Sequence, residues 1–97
     1  MRIKLMADYR SWPLWHAGGD EVGNIDPQTL PLSDDLVSDL NGWIEKLDGA
    51  LNWDDPGDTN WPDGFFAEFN CEGRKLAQRL KAELGPTYEV AEQYWGA

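Results

Sequence analysis

The chain has 97 residues, 41% of them hydrophobic and 27% charged, and a formal net charge of −10. That length gives one domain, residues 1–97, and twelve large rings (six Trp, three Tyr, three Phe) are more than a disordered acidic tail carries. So large an excess of acid disfavours nucleic acid and anionic membrane as partners and favours a basic protein.

The first element in chain order is a strand. From Arg2 to Asp8 the residues alternate, with Ile3, Leu5 and Ala7 on one side and Arg2, Lys4 and Met6 on the other. A second extended segment is expected around Trp12–His16. Pro13 places it at an edge or starts it after the proline. The turn-rich stretch Ala17 to Asn24 leads into a short return strand within Val22–Ile25, and Asp26 to Pro31 reads as a loop.

Ser33 is placed to cap a helix, with Asp34 and Asp35 in its first turn, where carboxylates favour the dipole. Leu36, Val37, Leu40, Trp43, Ile44, Leu47 and Leu51 follow at spacings of three and four, which is one face of a helix. Gly42 and Gly49 weaken that helix by roughly 1 kcal/mol each relative to alanine. Asn52 to Gly64 reads as an acidic loop in which Asn52-Trp53-Asp54-Asp55 is echoed by Asn60-Trp61-Pro62-Asp63. A second helix is expected over Phe65–Leu84, with Phe65, Phe66, Phe69, Leu76, Leu80 and Leu84 as its stripe, and Gly85-Pro86 stops it. Thr87 to Trp95 then alternates as a last strand, with Tyr88, Val90 and Tyr94 on one face.

The expected fold is therefore α+β: a small antiparallel or mixed sheet of about three to four strands, with two helices packed on one face, in the order β-β-α-α-β. The terminal strands are expected to pair centrally beneath the helices.

Charge is spread unevenly along this order. Fourteen acids and one base, Lys46, lie between Ser11 and Gly73, whereas the rest of the chain holds four acids and seven bases. The single cysteine, Cys71, excludes an internal disulfide, and a lone thiol buried on the apolar side of a helix fits a reducing compartment. Charge interrupts the apolar residues at the N-terminus, so no signal peptide is expected. No apolar run approaches the ~20 residues of a membrane helix. The expected location is cytoplasmic.

Reactive constellations are sparse. His16 is the only histidine, and a Cys71–His16 pair lacks the further signatures of a nucleophilic or zinc site. The acid pairs Asp20/Glu21, Asp34/Asp35 and Asp54/Asp55 lie in turns and caps, where carboxylates are ordinarily solvated rather than set in a catalytic cleft. A calcium loop begun at Asp54 puts Pro56 at a ligand position and Phe65 where a glutamate is required. One begun at Asp58 fails in the same way at Pro62 and Phe69. Phosphate-binding glycine motifs are absent, so neither a cofactor nor a metal is expected. Arg74, Lys75, Arg79 and Lys81 form a basic strip that nearby acids can consume.

The tryptophans carry the other signal. Trp43 falls in a helix stripe and belongs to the core, and Trp95 ends the last strand. Trp53 and Trp61 stand among aspartates. They either fold back over the helix ends or form an aromatic anchor ringed by carboxylates, a combination suited to a protein interface.

The opening Lys4-Leu5-Met6-Ala7-Asp8-Tyr9, then Pro13-Leu14-Trp15, Asn24-Ile25-Asp26-Pro27 and Leu51-Asn52-Trp53-Asp54-Asp55-Pro56, resembles a family of short acidic bacterial proteins. The likeness runs on through Glu72-Gly73-Arg74-Lys75 and Leu84-Gly85-Pro86. It implies no activity, and no functional residues transfer with it. In size and acidity the chain is also similar to immunity proteins, which neutralise toxins made by their own cell.

These readings converge on a non-enzymatic, protein-binding role: an immunity-type inhibitor of a basic toxin domain, of which a nuclease is one kind. The expected partner-binding residues are Asp54, Asp55, Asp58 and Asp63 as charges and Trp53 and Trp61 as anchors, with Asp20 and Glu21 as a secondary patch. The alternative is an adaptor or regulator whose acidity keeps it soluble. A small hydrolase using paired carboxylates is the third reading.

Overall fold

The computed structural model describes residues 2–17, 23–50, 54 and 63–94. Strand β1 (Arg2–Met6) is followed by β2 (Leu14–His16), β3 (Asn24–Ile25) and a 3-10 turn at Pro27–Thr29. Helices α1 (Asp34–Ala50) and α2 (Phe65–Leu84) come next, and β4 (Glu89–Gln93) closes the chain order.

Among the described residues the sheet has four strands in the order β3-β2-β1-β4. β1 runs antiparallel to β2, with Leu5 opposite Leu14, and parallel to β4, with Ile3 beside Val90. β2 and β3 are antiparallel, with Leu14 opposite Ile25. A parallel pair needs a long crossover, and the two helices supply it. The terminal strands pair as expected, but only β1 is central; β4 lies at the edge. β2 begins after Pro13, where the missing N–H removes nothing from the ladder.

The alternation in β1 puts Ile3, Leu5 and Ala7 into the core, where Leu14 and Ile25 join them from the neighbouring strands. The helices cover this face with Leu36, Leu40, Trp43, Leu47, Phe69, Leu76, Ala77 and Leu80. Trp43 is 1% exposed. Its indole N–H donates to the Phe69 carbonyl at 2.8 Å, and its ring stacks on Phe69 at 4.6 Å between centroids. Phe65 stacks on Phe69 in turn, so an aromatic row leads from the start of α2 to the centre of the core.

Gly73 lets α2 approach that ring. A methyl group on its Cα would lie 2.6 Å from Trp43 Cζ2 and 2.9 Å from Tyr94 Cε1. At Gly85, the backbone takes φ 74° and its N–H bonds to the Lys81 carbonyl at 3.0 Å, which ends α2. Ser33 caps α1 as expected: its Oγ accepts the Leu36 N–H at 3.2 Å. Glu83 of α2 accepts both the Ser33 N–H (2.6 Å) and its hydroxyl (2.9 Å), tying the end of one helix to the start of the other. Those bonds hold the Glu83 carboxyl below its ordinary range, the backbone bond foremost.

β4 is fastened to α2 through Glu92. Lys81 Nζ lies 2.8 Å from one of its oxygens, and the Tyr94 hydroxyl donates to the other at 2.5 Å. The lysine first, then the tyrosine, depress the Glu92 carboxyl. Burial, followed by the Glu92 bond, raises the Tyr94 phenol, while the Arg74 guanidinium 4.9 Å above the ring opposes the rise.

Cys71 corrects an expectation. It is exposed on α2, not buried on its apolar side. At about 100° per residue it lies some 200° around the helix from Phe69, which is on the core stripe.

Candidate partner-binding surface

α1 displays its acids on two flanks. On the flank toward α2, Asp39 pairs with Arg79 at 2.5 Å, and Arg79 also feels the charge of Asp35. Lys46, the lone base of the acidic stretch, pairs across the helices with Glu72 at 2.6 Å. These pairs are largely solvated, and pairs of that kind add little to stability. Their larger effect is to neutralise this flank: Arg79 of α2 covers Asp39, and Lys46 of α1 covers Glu72 of α2, while Lys81 further along α2 is taken by Glu92.

The other flank looks toward the 3-10 turn and is different. Asp34, Ser38, Asn41, Gly42 and Glu45 recur along one line of α1, and Gln28 and Leu32 face them from the preceding turn. Between them lies an open groove of about 710 Å³. Neither Asp34 nor Glu45 makes an ion pair among the described residues, and no base lines the groove. The turn that forms its opposite wall is fixed by Asp26, whose carboxylate accepts the Gln28 N–H at 3.0 Å.

Of the residues singled out from sequence, Asp54 and Asp63 are exposed. Trp53, Asp55, Asp58, Trp61, Asp20 and Glu21 lie outside the described residues, as do Leu51 and Trp95. Glu68, in the first turn of α2, is a further exposed acid near Asp63 in sequence, and neither it nor Asp63 has an ion pair among the described residues.

Trp12 is an anchor candidate that pattern reading passed over. Among the described residues it is the large hydrophobic side chain that stands exposed, at 44%. Its backbone is nonetheless held firmly. The Asn24 side chain accepts the Trp12 N–H at 2.8 Å and donates to the Trp12 and Leu14 carbonyls at 2.7 and 2.8 Å. Two residues earlier, Arg10 takes the left-handed conformation with φ 53°, and its N–H bonds to Asp48 at 3.0 Å. A fixed segment presenting an exposed indole loses little freedom on binding, which favours an interface role. The available signal was the Trp12-Pro13 step, outside both alternating runs.

The reactive candidates stay apart. His16 is half-buried at the end of β2 opposite Ile3, and Cys71 is exposed on α2. No group of three or more His, Cys, Asp or Glu side chains among the described residues is arranged to hold a metal ion. Asp34 and Asp35 sit in the open first turn of α1, where the dipole accounts for them. No helix among the described residues is long and apolar enough to cross a membrane.

What the surface offers is therefore charge, a groove and an exposed indole. The model of the Serratia CdiI immunity protein-like family matches residues 1–95, and the chain belongs to that family. No curated protein matches it.

Proposed function

We propose that this immunity-family chain neutralises a toxin by binding it, without chemistry of its own, and that the toxin domain is basic. Family membership is the observation that carries the reading. The net charge of −10 and the exposed acids Asp34, Glu45, Asp63 and Glu68, which make no ion pair among the described residues, support a cationic partner. A nuclease is the toxin class this charge suits best, because a phosphate-binding surface is itself basic. An acidic inhibitor seated there excludes the substrate by occupying its site.

In this reading Asp54, Asp55, Asp58 and Asp63 supply charge, and Trp53 and Trp61 supply apolar anchorage. Asp20 and Glu21 form a second patch, and Trp12 joins the anchors. Inhibitor and toxin meet in the cytoplasm. The adaptor and hydrolase readings have no comparable support.

The test is co-purification. The tagged chain is used to retain a toxin domain of its own cell, at low and at high salt. A stoichiometric complex that weakens as salt rises supports the proposal. If the toxin domain passes through unretained at low salt, the proposal fails.

A further inference from the structure

α1 holds two glycines, Gly42 and Gly49, at which a Cβ would meet no atom within 4 Å; Gly49 is next to the last residue of the helix, whereas Gly42 lies in its middle. Glycine in a helix interior lowers stability relative to alanine, so its presence calls for a reason. The reason is not internal, because a Cβ there would meet no atom within 4 Å, and the residue is not at a positive φ. Gly73 is the contrast, since its missing side chain makes room for Trp43. Gly42 opens instead onto the groove, with Asn41 beside it and Asp34 and Glu45 toward the two ends.

The spacing of the acids sets the shape of an occupant. Asp34 and Glu45 are separated by eleven residues, which returns them to nearly the same face of the helix roughly 16 Å apart. No base lines the groove between them. Two like charges held at that distance beside a glycine floor fit a segment that brings two cations and packs closely between them.

We propose that this groove is the docking site for a segment of the toxin domain presenting two lysine or arginine side chains roughly 16 Å apart, one for Asp34 and one for Glu45. Gly42 allows the backbone or a side chain of that segment to lie directly on α1. This inference rests on the immunity reading and names residues other than those at 54–63. It makes Gly42 a residue that lowers the stability of the free chain and raises affinity for the partner.

The test measures melting temperature and toxin binding together, using the toxin domain retained in the co-purification as the probe. Gly42→Ala should raise the melting temperature and weaken binding by about tenfold, because a methyl group intrudes on a close-packed contact. Gly42→Leu should weaken it further while circular dichroism shows an intact fold. Asp34→Asn with Glu45→Gln should slow association at low salt by about tenfold. Asp8→Asn with Glu89→Gln, the same change in net charge placed elsewhere, should do much less. If wild type binds and Gly42→Ala binds equally well, or if both charge pairs act alike, the groove proposal is overturned and the immunity reading stands. If wild type binds no toxin domain, both are overturned.

Discussion

Gly73→Ala is the change that the core resists most clearly. The added methyl would lie 2.6 Å from Trp43 Cζ2 and 2.9 Å from Tyr94 Cε1, so a ring or the helix must move. Neither ring moves freely: Trp43 is stacked on Phe69 and bonded to its carbonyl, and Tyr94 is held by Glu92. Overpacking of this kind costs about 1–3 kcal/mol. Straining the buried indole hydrogen bond adds about 1 kcal/mol. Better helix propensity returns roughly 1 kcal/mol. The net is a destabilisation of about 2 kcal/mol, or some 10 °C in melting temperature for a domain of this size. Gly42→Ala is the internal control. It makes the same change in propensity with no atom nearby, and it should raise the melting temperature by about 5 °C. Thermal unfolding followed by circular dichroism and tryptophan fluorescence reads both. A Gly73→Ala protein at least as stable as wild type would refute the packing argument.

Ser33→Ala removes the cap of α1 and should lower stability by about 1 kcal/mol, read as a shift of the urea midpoint at unchanged slope. Glu92 has its carboxyl held down by Lys81 and Tyr94. Its contribution is therefore present above the ordinary value of 4.5 and is lost as pH falls through the depressed one. Wild type should accordingly lose more stability than Glu92→Gln between about pH 5 and pH 3, since protonation of the remaining acids affects both alike; parallel curves would dismiss the Glu92 link. Asn24→Ala frees the segment around Trp12, and hydrogen exchange at the Trp12 amide should rise while the amides of β1 stay protected.

The elements were legible because their causes are local. Alternation at Ile3, Leu5 and Ala7 made β1, Ser33 and the spacing from Leu36 to Leu47 made α1, and Gly85 ended α2. What escaped was decided across the chain. β4 pairs parallel to β1 at the sheet edge only because two helices intervene, and no short window contains that choice. Gly73 gives no signal in its own window, because the ring it makes room for, Trp43, lies thirty positions earlier. Cys71 was misplaced although its position was legible: at about 100° per residue it falls opposite the stripe that runs from Phe65 to Leu84. The groove on α1 is a product of the 3-10 turn folding back beside Asp34 and Glu45, which no local pattern joins. Trp12 was overlooked because what fixes its backbone, the Asn24 side chain, lies twelve positions further along the chain. Of the residues expected to bind the partner, Asp54 and Asp63 are exposed, and the other six lie outside the described residues.

The claim that an acidic surface silences a basic toxin domain is tested most directly by titrating the toxin's activity with this chain. At low salt, activity should vanish at one equivalent, and reversing Asp34 and Glu45, or Asp54 and Asp63, to lysine should slow the onset of inhibition. Inhibition that is unchanged by those reversals and insensitive to salt would show that the carboxylates are not what the toxin recognises.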